Sequence, residues 1–133
     1  MTWEAGHEFR SQTYVVTRAD LVRYAGASGD FNPIHWSDRV ATSVGLPGVV
    51  AHGMLTLALA GRALTEWVGD ADRVVSFGAR FTHPVAVPDD DDGTPIVVDG
   101  VVTSVEDGLA TVELTVSHDG SKVLGMTRAT VRC

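Results

Sequence analysis

The two halves of the chain differ in the period of their hydrophobic positions. In the first half, apolar residues such as Leu21, Val22 and Ala25 recur every three or four positions, which is typical of helices. In the second half, apolar and polar residues alternate over residues 75–82 and 111–116, which is typical of strands with one buried face. Helices followed by antiparallel strands predict an α+β fold, and the length predicts a single domain over residues 1–133.

Capping residues and turn sequences delimit the predicted elements. Residues 17–26 and 37–44 each begin with a hydroxyl residue suited to cap a short helix. Residues 53–68 are apolar nearly all the way round in their first two turns, which predicts a helix buried on most sides. Asp-Gly pairs at 107–108 and 119–120 predict hairpin turns. Strands are expected within residues 8–16, 75–82, 96–105, 109–116 and 122–131. One apolar helix beside a long meander predicts a sheet curled around that helix.

The composition indicates an ordered, acidic globular protein. Hydrophobic residues make up 44% of the chain, and ten basic residues face 17 acidic ones, giving a net charge of −7. An acidic chain is a poor candidate for wrapping nucleic acid or an anionic membrane, so neither partner is expected. The most apolar stretch, residues 54–68, is shorter than the ~20 residues of a membrane span. The start of the sequence has no signal-peptide pattern, so a cytoplasmic location is expected.

The sequence offers little for metal or nucleotide chemistry. Cys133 is the single cysteine, which excludes a cysteine-based metal cluster within the chain. His35 and His52 could approach each other, but the spacing indicates no third ligand, so no metal is expected. No glycine-rich phosphate loop is present, so no nicotinamide or ATP cofactor is expected. His7 and His118 lie near the start and a hairpin turn, and we expect both at the surface.

The segment with the clearest chemical content is Ser-Gly-Asp-Phe-Asn-Pro-Ile-His at residues 28–35. It places Asp30 and His35 five residues apart on a loop that Gly29 and Pro33 keep out of a helix. An aspartate and a histidine held together can divide acid and base work near neutral pH. Five extended residues span up to ~17 Å, so the two can act on one substrate only if the loop folds back. The alternative is that Asp30 only caps a turn, since Asp-x-Asn-Pro is a common turn sequence.

Three motifs resemble the MaoC-like hydratase/dehydratase family. Residues 29–35 match Gly-Asp-x-Asn-Pro-hydrophobic-His, and the aromatic Tyr24 lies upstream as in the family. Ala-His-Gly-Met-Leu at 51–55 is the second match, and Arg-Phe-Thr-His-Pro-Val at 80–85 is a looser third. Their order and spacing extend the resemblance from about residue 10 to residue 132. Within the family, the pattern is most similar to the catalytic B-type subunit of bacterial (3R)-hydroxyacyl-ACP dehydratases.

The resemblance implies a hot-dog fold, in which an antiparallel sheet wraps around one long central helix. It implies a hydro-lyase of fatty-acid or related acyl metabolism that interconverts (3R)-hydroxyacyl and trans-2-enoyl thioesters. The substrate would be an acyl-CoA or acyl-ACP carried on phosphopantetheine, with no other cofactor. The chain would form a homodimer, or a heterodimer with a second hot-dog subunit. Two alternatives stay open: a hot-dog acyl thioesterase, and a non-catalytic or acyl-binding partner subunit.

The resemblance also implies roles for individual residues. Asp30 would handle the proton of the water or 3-hydroxyl, His35 the C2 proton, and the N–H of Gly53 would stabilise the thioester oxygen. The other residues expected on the substrate side are Asn32, His52, Met54 and Arg80. Asn32 would orient the loop, and His52 would hold it by hydrogen bonds rather than carry a proton. Arg80 is one of the few basic residues able to meet a CoA or phosphopantetheine phosphate, although surface charge is the more usual role of such a residue. Some family hydratases carry a serine on the central helix where this sequence has Gly61, so the help of that hydroxyl is either absent or comes from elsewhere, with Thr56 and Ser28 as the candidates.

Overall fold

The computed structural model describes residues 2–133, which form an antiparallel sheet with three α-helices. The helices are α1 (Arg18–Ser28), α2 (Asp38–Ser43) and α3 (Gly53–Val68), and short 3-10 turns span Pro33–His35 and Ala71–Arg73. The strands are β1 (Gln12–Val16), β2 (Val74–Phe81), β3 (Thr94–Glu106), β4 (Leu109–His118), β5 (Ser121–Lys122) and β6 (Leu124–Arg132). The predicted α+β architecture is therefore confirmed.

The six-stranded sheet has the order β1-β3-β4-β6-β2, and β5 pairs with β4 beside this path. β1 and β2 are thus its two edges. Asp107 and Asp119 adopt positive φ of 51° and 50°, and the glycine after each does the same, as tight hairpin turns require. The two predicted hairpins therefore set the β3–β4 and β4–β5 connections.

The core lies between α3 and the sheet. Valines on β3, β4 and β6 are completely buried, including Val98, Val102, Val112, Val116 and Val131. From the helix, Ala60, Ala63, Leu64 and Val68 meet them. Each fully buried aliphatic side chain of this size contributes about 1.5–3 kcal/mol, so this layer supplies most of the driving force for folding.

Two glycines of α3 lie beneath two aromatic rings of β2. A Cβ atom at Gly53 would lie 2.9 Å from Cδ1 of Phe81, and one at Gly61 would lie 3.4 Å from Cε2 of Phe77. Gly53 and Gly61 are eight helical residues apart, a rise of about 12 Å, and Phe77 and Phe81 are four strand residues apart, a rise of about 13 Å. The two spacings therefore match. β2 therefore runs antiparallel along α3 in one fixed register, and the glycines allow the helix to approach the strand closely.

The other end of α3 is held by Trp67. Its indole N–H donates to the carbonyl of Arg10 at 2.8 Å, and its ring stacks on Phe9 with centroids 5.1 Å apart. The same ring lies against Gly100 of β3, where a Cβ atom would be 2.8 Å from Cη2. The helix is thus fixed to the sheet at both of its ends.

Two local predictions need correction. α1 does not end near Gly26 but continues to Ser28, because Gly29 supplies the left-handed cap at φ 77°. The last strand is broken after β5, and Met126 within β6 has a positive φ of 49°. The first two turns of α3 are buried or half-buried around most of the helix, but a stripe that begins at Met54, which is 55% exposed, is open. Among residues 2–133, no helix combines the length and hydrophobicity needed to cross a bilayer.

The contact between Trp67 and Gly100 leads to a stability prediction. Gly100→Ala should lower the free energy of unfolding by about 1–3 kcal/mol, because the added methyl group meets a ring that stacking and a hydrogen bond hold in place. Gly26→Ala in α1 is the matched control. A Cβ atom there meets nothing within 4 Å, so helix propensity should add up to about 1 kcal/mol. Urea unfolding measures both variants, and equal stability of Gly100→Ala and the unchanged protein would contradict this contact.

Candidate active site

A short extended segment, residues 49–51, connects the sheet side of the molecule with the loop that carries Asp30 and His35. Two backbone hydrogen bonds of 2.8 and 3.0 Å join it to residues 85–87. On its other side, the N–H of Val50 donates to the carbonyl of Ile34 at 3.1 Å. The segment is almost fully buried. It leads directly into His52 and Gly53, so it brings the second and third sequence motifs to the first.

An ion pair between α1 and α2 supports this segment. The guanidinium of Arg18 donates to Oδ1 of Asp38 at 2.9 Å, and the same oxygen accepts the N–H of Val49 at 2.9 Å. Nε of Arg18 donates to the carbonyl of Val87 at 2.7 Å. The pKa of the Asp38 carboxyl is lowered below its usual value, most strongly by the hydrogen bond from Val49 and next by the hydrogen bond from Arg18. Both short helices are therefore fixed to residues 49–51.

His35 is oriented by a main-chain carbonyl. Its Nδ1–H donates to the oxygen of Val50 at 2.7 Å, and its side chain is 9% exposed. Because a carbonyl oxygen can only accept, the proton of a neutral ring must be on Nδ1. Nε2 then carries the free lone pair, and it lies 3.8 Å from Oδ2 of Asp30. This separation is too long for a direct hydrogen bond between Nε2 and Oδ2. Both atoms are therefore free to interact with the same oxygen atom of a water or substrate molecule.

The loop folds back through hydrogen bonds between its own residues. Oδ1 of Asp30 accepts the N–H of Asn32 at 3.1 Å, and Oδ1 of Asn32 accepts the N–H of Ile34 at 3.3 Å. The N–H of Asp30 is bound to Oγ of Ser28 at 3.1 Å. One carboxylate oxygen of Asp30 therefore caps the turn, as the simpler interpretation expects, while the other faces His35. The half-exposed carboxylate of Asp30 can therefore cap the turn and face His35 at the same time.

His52 lies beneath this pair and is only 1% exposed. Its ring stacks on His35 with centroids 3.8 Å apart and 22° between the planes, and the ring of Tyr24 meets it at 4.8 Å. Its Nε2–H donates to the main-chain carbonyl of Asp30 at 3.1 Å. Burial lowers the pKa of His52 below its usual value, and the hydrogen bond to Asp30 opposes this only in part.

Gly53 is the first residue of α3, and its N–H finds no acceptor among residues 2–133. The residue before it makes no side-chain cap bond. An unsatisfied N–H at a helix N-terminus carries partial positive charge and favours a negatively charged or polarised oxygen. The Phe81 ring lies over Gly53 and is itself 57% exposed.

These groups border a cavity of about 450 Å³. Asp30, His35, His52 and Gly53 line it, together with Met54 and Thr56. Its apolar walls include Ile34, Leu46, Val50, Val85, Val123 and Leu124. Of the two candidate hydroxyls, Thr56 faces this cavity and Ser28 binds the loop backbone instead. Gly61 lies against Phe77.

Arg80 is exposed on β2 and is not among the residues lining the cavity. Successive strand residues project to opposite faces, and its neighbour Phe81 takes the cavity side. A substrate contact by Arg80 would have to be made outside the cavity and stays a prediction.

His118 is not at the surface as expected: it is 9% exposed, with Nε2 at 2.7 Å from Oγ1 of Thr94.

Asp30, His35 and His52 bring three potential metal-ligand atoms within 4.8 Å of one another, which the sequence spacing did not indicate. The ring planes of the two histidines are nearly parallel at 22° and stacked at 3.8 Å. Ring-nitrogen lone pairs lie in the ring planes, so in this arrangement they cannot both be directed at one ion about 2.1 Å away. This donor set therefore does not suit a metal, and the absence of a metal cofactor stays a prediction.

Several residues of the site have no role that sequence reasoning could assign, among them Phe81, which lines the cavity, and Val50, whose carbonyl orients His35. Phe81 belongs to the third motif, but the resemblance of that motif implies no role for it. The role of Val50 rests on its backbone, and a backbone carbonyl has no signature in residue identity.

Comparison with known proteins places these features in a family. Residues 3–121 match the family described as MaoC like domain. The chain is 40% identical over 73 residues to 3-hydroxyacyl-thioester dehydratase X of Mycobacterium tuberculosis, a match that covers 55% of this chain and 25% of that protein. It is 47% identical over 64 residues to fatty acid synthase beta subunit pkiC of Emericella nidulans, covering 47% of this chain and 3% of that one. The chain thus spans a quarter or less of these curated relatives.

Solved structures agree on the fold. A MaoC-like dehydratase superposes with a TM-score of 0.94 and 35% identity, covering 98% of this chain and 40% of that one. The R-hydratase PhaJ1 from Pseudomonas aeruginosa superposes with a TM-score of 0.81 at 24% identity, covering 98% of this chain and 82% of that one, and so shares the fold. The implied hot-dog fold is confirmed, with the sheet packed around α3. On the family match, the structural similarity and the three motifs, the chain belongs to the MaoC-like hydratase/dehydratase family.

Proposed function

We propose that the chain is an (R)-specific hydratase/dehydratase that interconverts (3R)-hydroxyacyl and trans-2-enoyl thioesters. The observation that carries this proposal is the pair formed by Oδ2 of Asp30 and Nε2 of His35, 3.8 Å apart at the wall of a largely apolar cavity. Relatives named 3-hydroxyacyl-thioester dehydratase X and Y support it. The substrate would be carried on CoA or ACP phosphopantetheine, with no further cofactor, and the proposal includes a cytoplasmic location.

In the dehydration direction, Nε2 of His35 takes a proton from C2 while the bond between C3 and the hydroxyl oxygen breaks. The departing hydroxide takes a proton from the carboxyl group of Asp30 and leaves as water. The electron pair of the C2–H bond becomes the new C2–C3 double bond. Before dehydration Asp30 carries the transferable proton, and after it Nε2 of His35 carries one. Hydration runs the same steps in reverse.

The N–H of Gly53 would complete the site. As the C2–H bond weakens, negative charge moves onto the thioester carbonyl oxygen, and a donor fixed at a helix N-terminus stabilises that charge. Removal of one such donor in other enzymes costs about 3 kcal/mol in the transition state. The apolar cavity walls would hold the acyl carbons next to these three groups. Met54 and Thr56 would contact the substrate from the first turn of α3.

We also propose that the chain works as a pair with another hot-dog subunit, either a second copy or a different chain. β2 is an unpaired edge of the sheet, and an exposed edge is a hazard that proteins pair or cover. Val75 on β2 is 49% exposed, and Phe81 and Met54 at the cavity are each more than half exposed. The solved ChsH1–ChsH2 complex from Mycobacterium tuberculosis, at 24% identity and a TM-score of 0.79, has this fold.

The first prediction tests the acid–base pair. Asp30→Asn and His35→Gln should each lower the rate of crotonyl-CoA hydration by about 10²-fold or more, because each removes one proton-transfer group. The loss of enoyl-thioester absorbance measures hydration, and a thiol reagent measures hydrolysis. Asp91→Asn and His7→Gln, both exposed and outside the cavity, should keep full activity. Thiol release by the unchanged protein would instead support a thioesterase, and neither signal would support a binding subunit.

The second prediction concerns Gly53. Gly53→Ala should lower kcat/KM by about 10-fold or more, because the new methyl group pushes the Phe81 ring into the space that the thioester needs; small misplacements at a reacting centre are costly. The ring is largely exposed and can move, so the unfolding midpoint should stay nearly constant. Gly61→Ala, whose Cβ meets Phe77 at an ordinary 3.4 Å, is the matched control. The double change Gly53→Ala/Phe81→Ala should recover activity, and no recovery would argue against the collision with Phe81.

The third prediction concerns assembly. Sedimentation should give about twice 14.1 kDa for the chain alone if it pairs with itself. Val75→Asp should weaken that pairing, because it places charge on the open edge of β2. Leu109→Asp is the control, since this residue is also exposed at 40% but lies on β4, which is paired on both sides, with Glu106 of β3 and with Arg132 of β6. A stable, fully active monomer at micromolar concentration would contradict the pairing.

A further inference from the structure

We propose that His52 is a positioning residue, whose single ring keeps Asp30 and His35 in register for the reaction. The inference rests on the function proposed above and adds a group that does not itself exchange protons with the substrate. It develops the expectation that His52 holds the loop by hydrogen bonds.

The ring of His52 touches both members of the pair in two different ways. Its face stacks on the ring of His35 at 3.8 Å, and its edge donates a hydrogen bond of 3.1 Å to the main-chain carbonyl of Asp30. The two side chains are not hydrogen-bonded to each other at their 3.8 Å separation. His52 is therefore the direct bridge that fixes the backbone of one residue relative to the side chain of the other.

His52 is itself held on the side of α1. The ring of Tyr24 meets it at 4.8 Å with 61° between the planes, an edge-on contact. Its backbone is the N-cap of α3, whose C=O accepts the N–H groups of Leu55 and Thr56. The ring can therefore transmit the position of α3 and α1 to the loop above it.

A role in proton transfer does not fit the environment of this ring. The one proton of a neutral ring is on Nε2 and is used by the carbonyl of Asp30. Nδ1 is buried and has no hydrogen-bond partner, so it has no route to substrate in this arrangement. Burial also favours the neutral ring. A neutral aromatic face is a favourable neighbour when the adjacent His35 becomes positively charged during turnover, whereas a second cation would oppose that step.

Two variants separate the contacts. His52→Phe keeps a ring that can stack on His35 but loses the donor to Asp30, and His52→Gln keeps an N–H donor at similar reach but loses the ring. We expect each to lower kcat by about 10-fold or more with KM within about threefold, and to keep the acid limb of the pH–rate profile. His7→Phe and His7→Gln, on an exposed histidine outside the cavity, are the matched controls and should leave kcat unchanged.

Three outcomes would overturn the proposal. Loss of the acid limb in both variants would make His52 a proton carrier. A lower unfolding midpoint with unchanged kcat per folded molecule would make its role merely structural. An altered KM with unchanged kcat would return it to the substrate side of the site.

A readout independent of turnover separates this inference from the proposed function. Ring-nitrogen NMR of the unchanged protein should find His52 neutral with its proton on Nε2 at pH 6, where an unperturbed histidine of pKa about 6.5 is largely charged. The His35 ring signals should shift more in His52→Gln than in His52→Phe, because only the latter keeps a ring face. If the wild type hydrates enoyl thioesters and both variants keep its kcat, the role of His52 is disproved and the proposed function stands. A wild type that shows the NMR pattern but hydrates no enoyl thioester defeats the proposed function and, with it, this inference.

Discussion

The site depends on one hydrogen bond, from Nδ1–H of His35 to the carbonyl of Val50. This bond decides which ring nitrogen carries the proton, and thus that the lone pair is on the nitrogen facing Asp30. The carbonyl can do this only because residues 49–51 are themselves held, on one side by residues 85–87 and on the other by Ile34. The ion pair between Arg18 and Asp38 then secures the same segment to the two short helices. The chemistry of one imidazole is therefore set by the backbone of a buried segment fifteen residues away.

The close approach of α3 to β2 is the second requirement, because it determines what stands at the start of the helix. Glycine inside a helix costs about 1 kcal/mol relative to alanine, yet Gly53 and Gly61 both lie under aromatic rings of β2. The cost is offset by packing of Phe77 and Phe81 against the helix backbone. Gly53 also lines the cavity, and its N–H, at the first position of α3, has no acceptor among residues 2–133. The same contact thus serves the fold at one glycine and the site at the other.

The sequence predicted those features that depend on neighbouring residues. Thr17 caps α1 as expected, with Asp20 completing a capping box, and the Asp-Gly turns have the positive φ that such turns need. Asp30 and His35 were identified from a local motif, and the loop that joins them folds back as their joint action requires. The sequence indicated that His35 and His52 could approach each other, but neither the stacking of their rings nor the role of the Val50 carbonyl was predictable, because both join segments that are distant in the chain. The position of Arg80 outside the cavity was not predictable for a related reason: a bulged strand obscures which face each residue takes.

The exposed surface of this fold and its cavity are not independent features. Met54 begins the open stripe of α3, Phe81 ends the open edge strand β2, and both residues line the cavity. A subunit that pairs with β2 would therefore bury apolar area beside the cavity that is proposed to bind the substrate. Removal of that area from water contributes about 25 cal/mol per Å², and it would restrict the Phe81 ring that now lies free over Gly53. Pairing would then do more than stabilise the chain, because it would narrow the cavity beside the groups that are proposed to react.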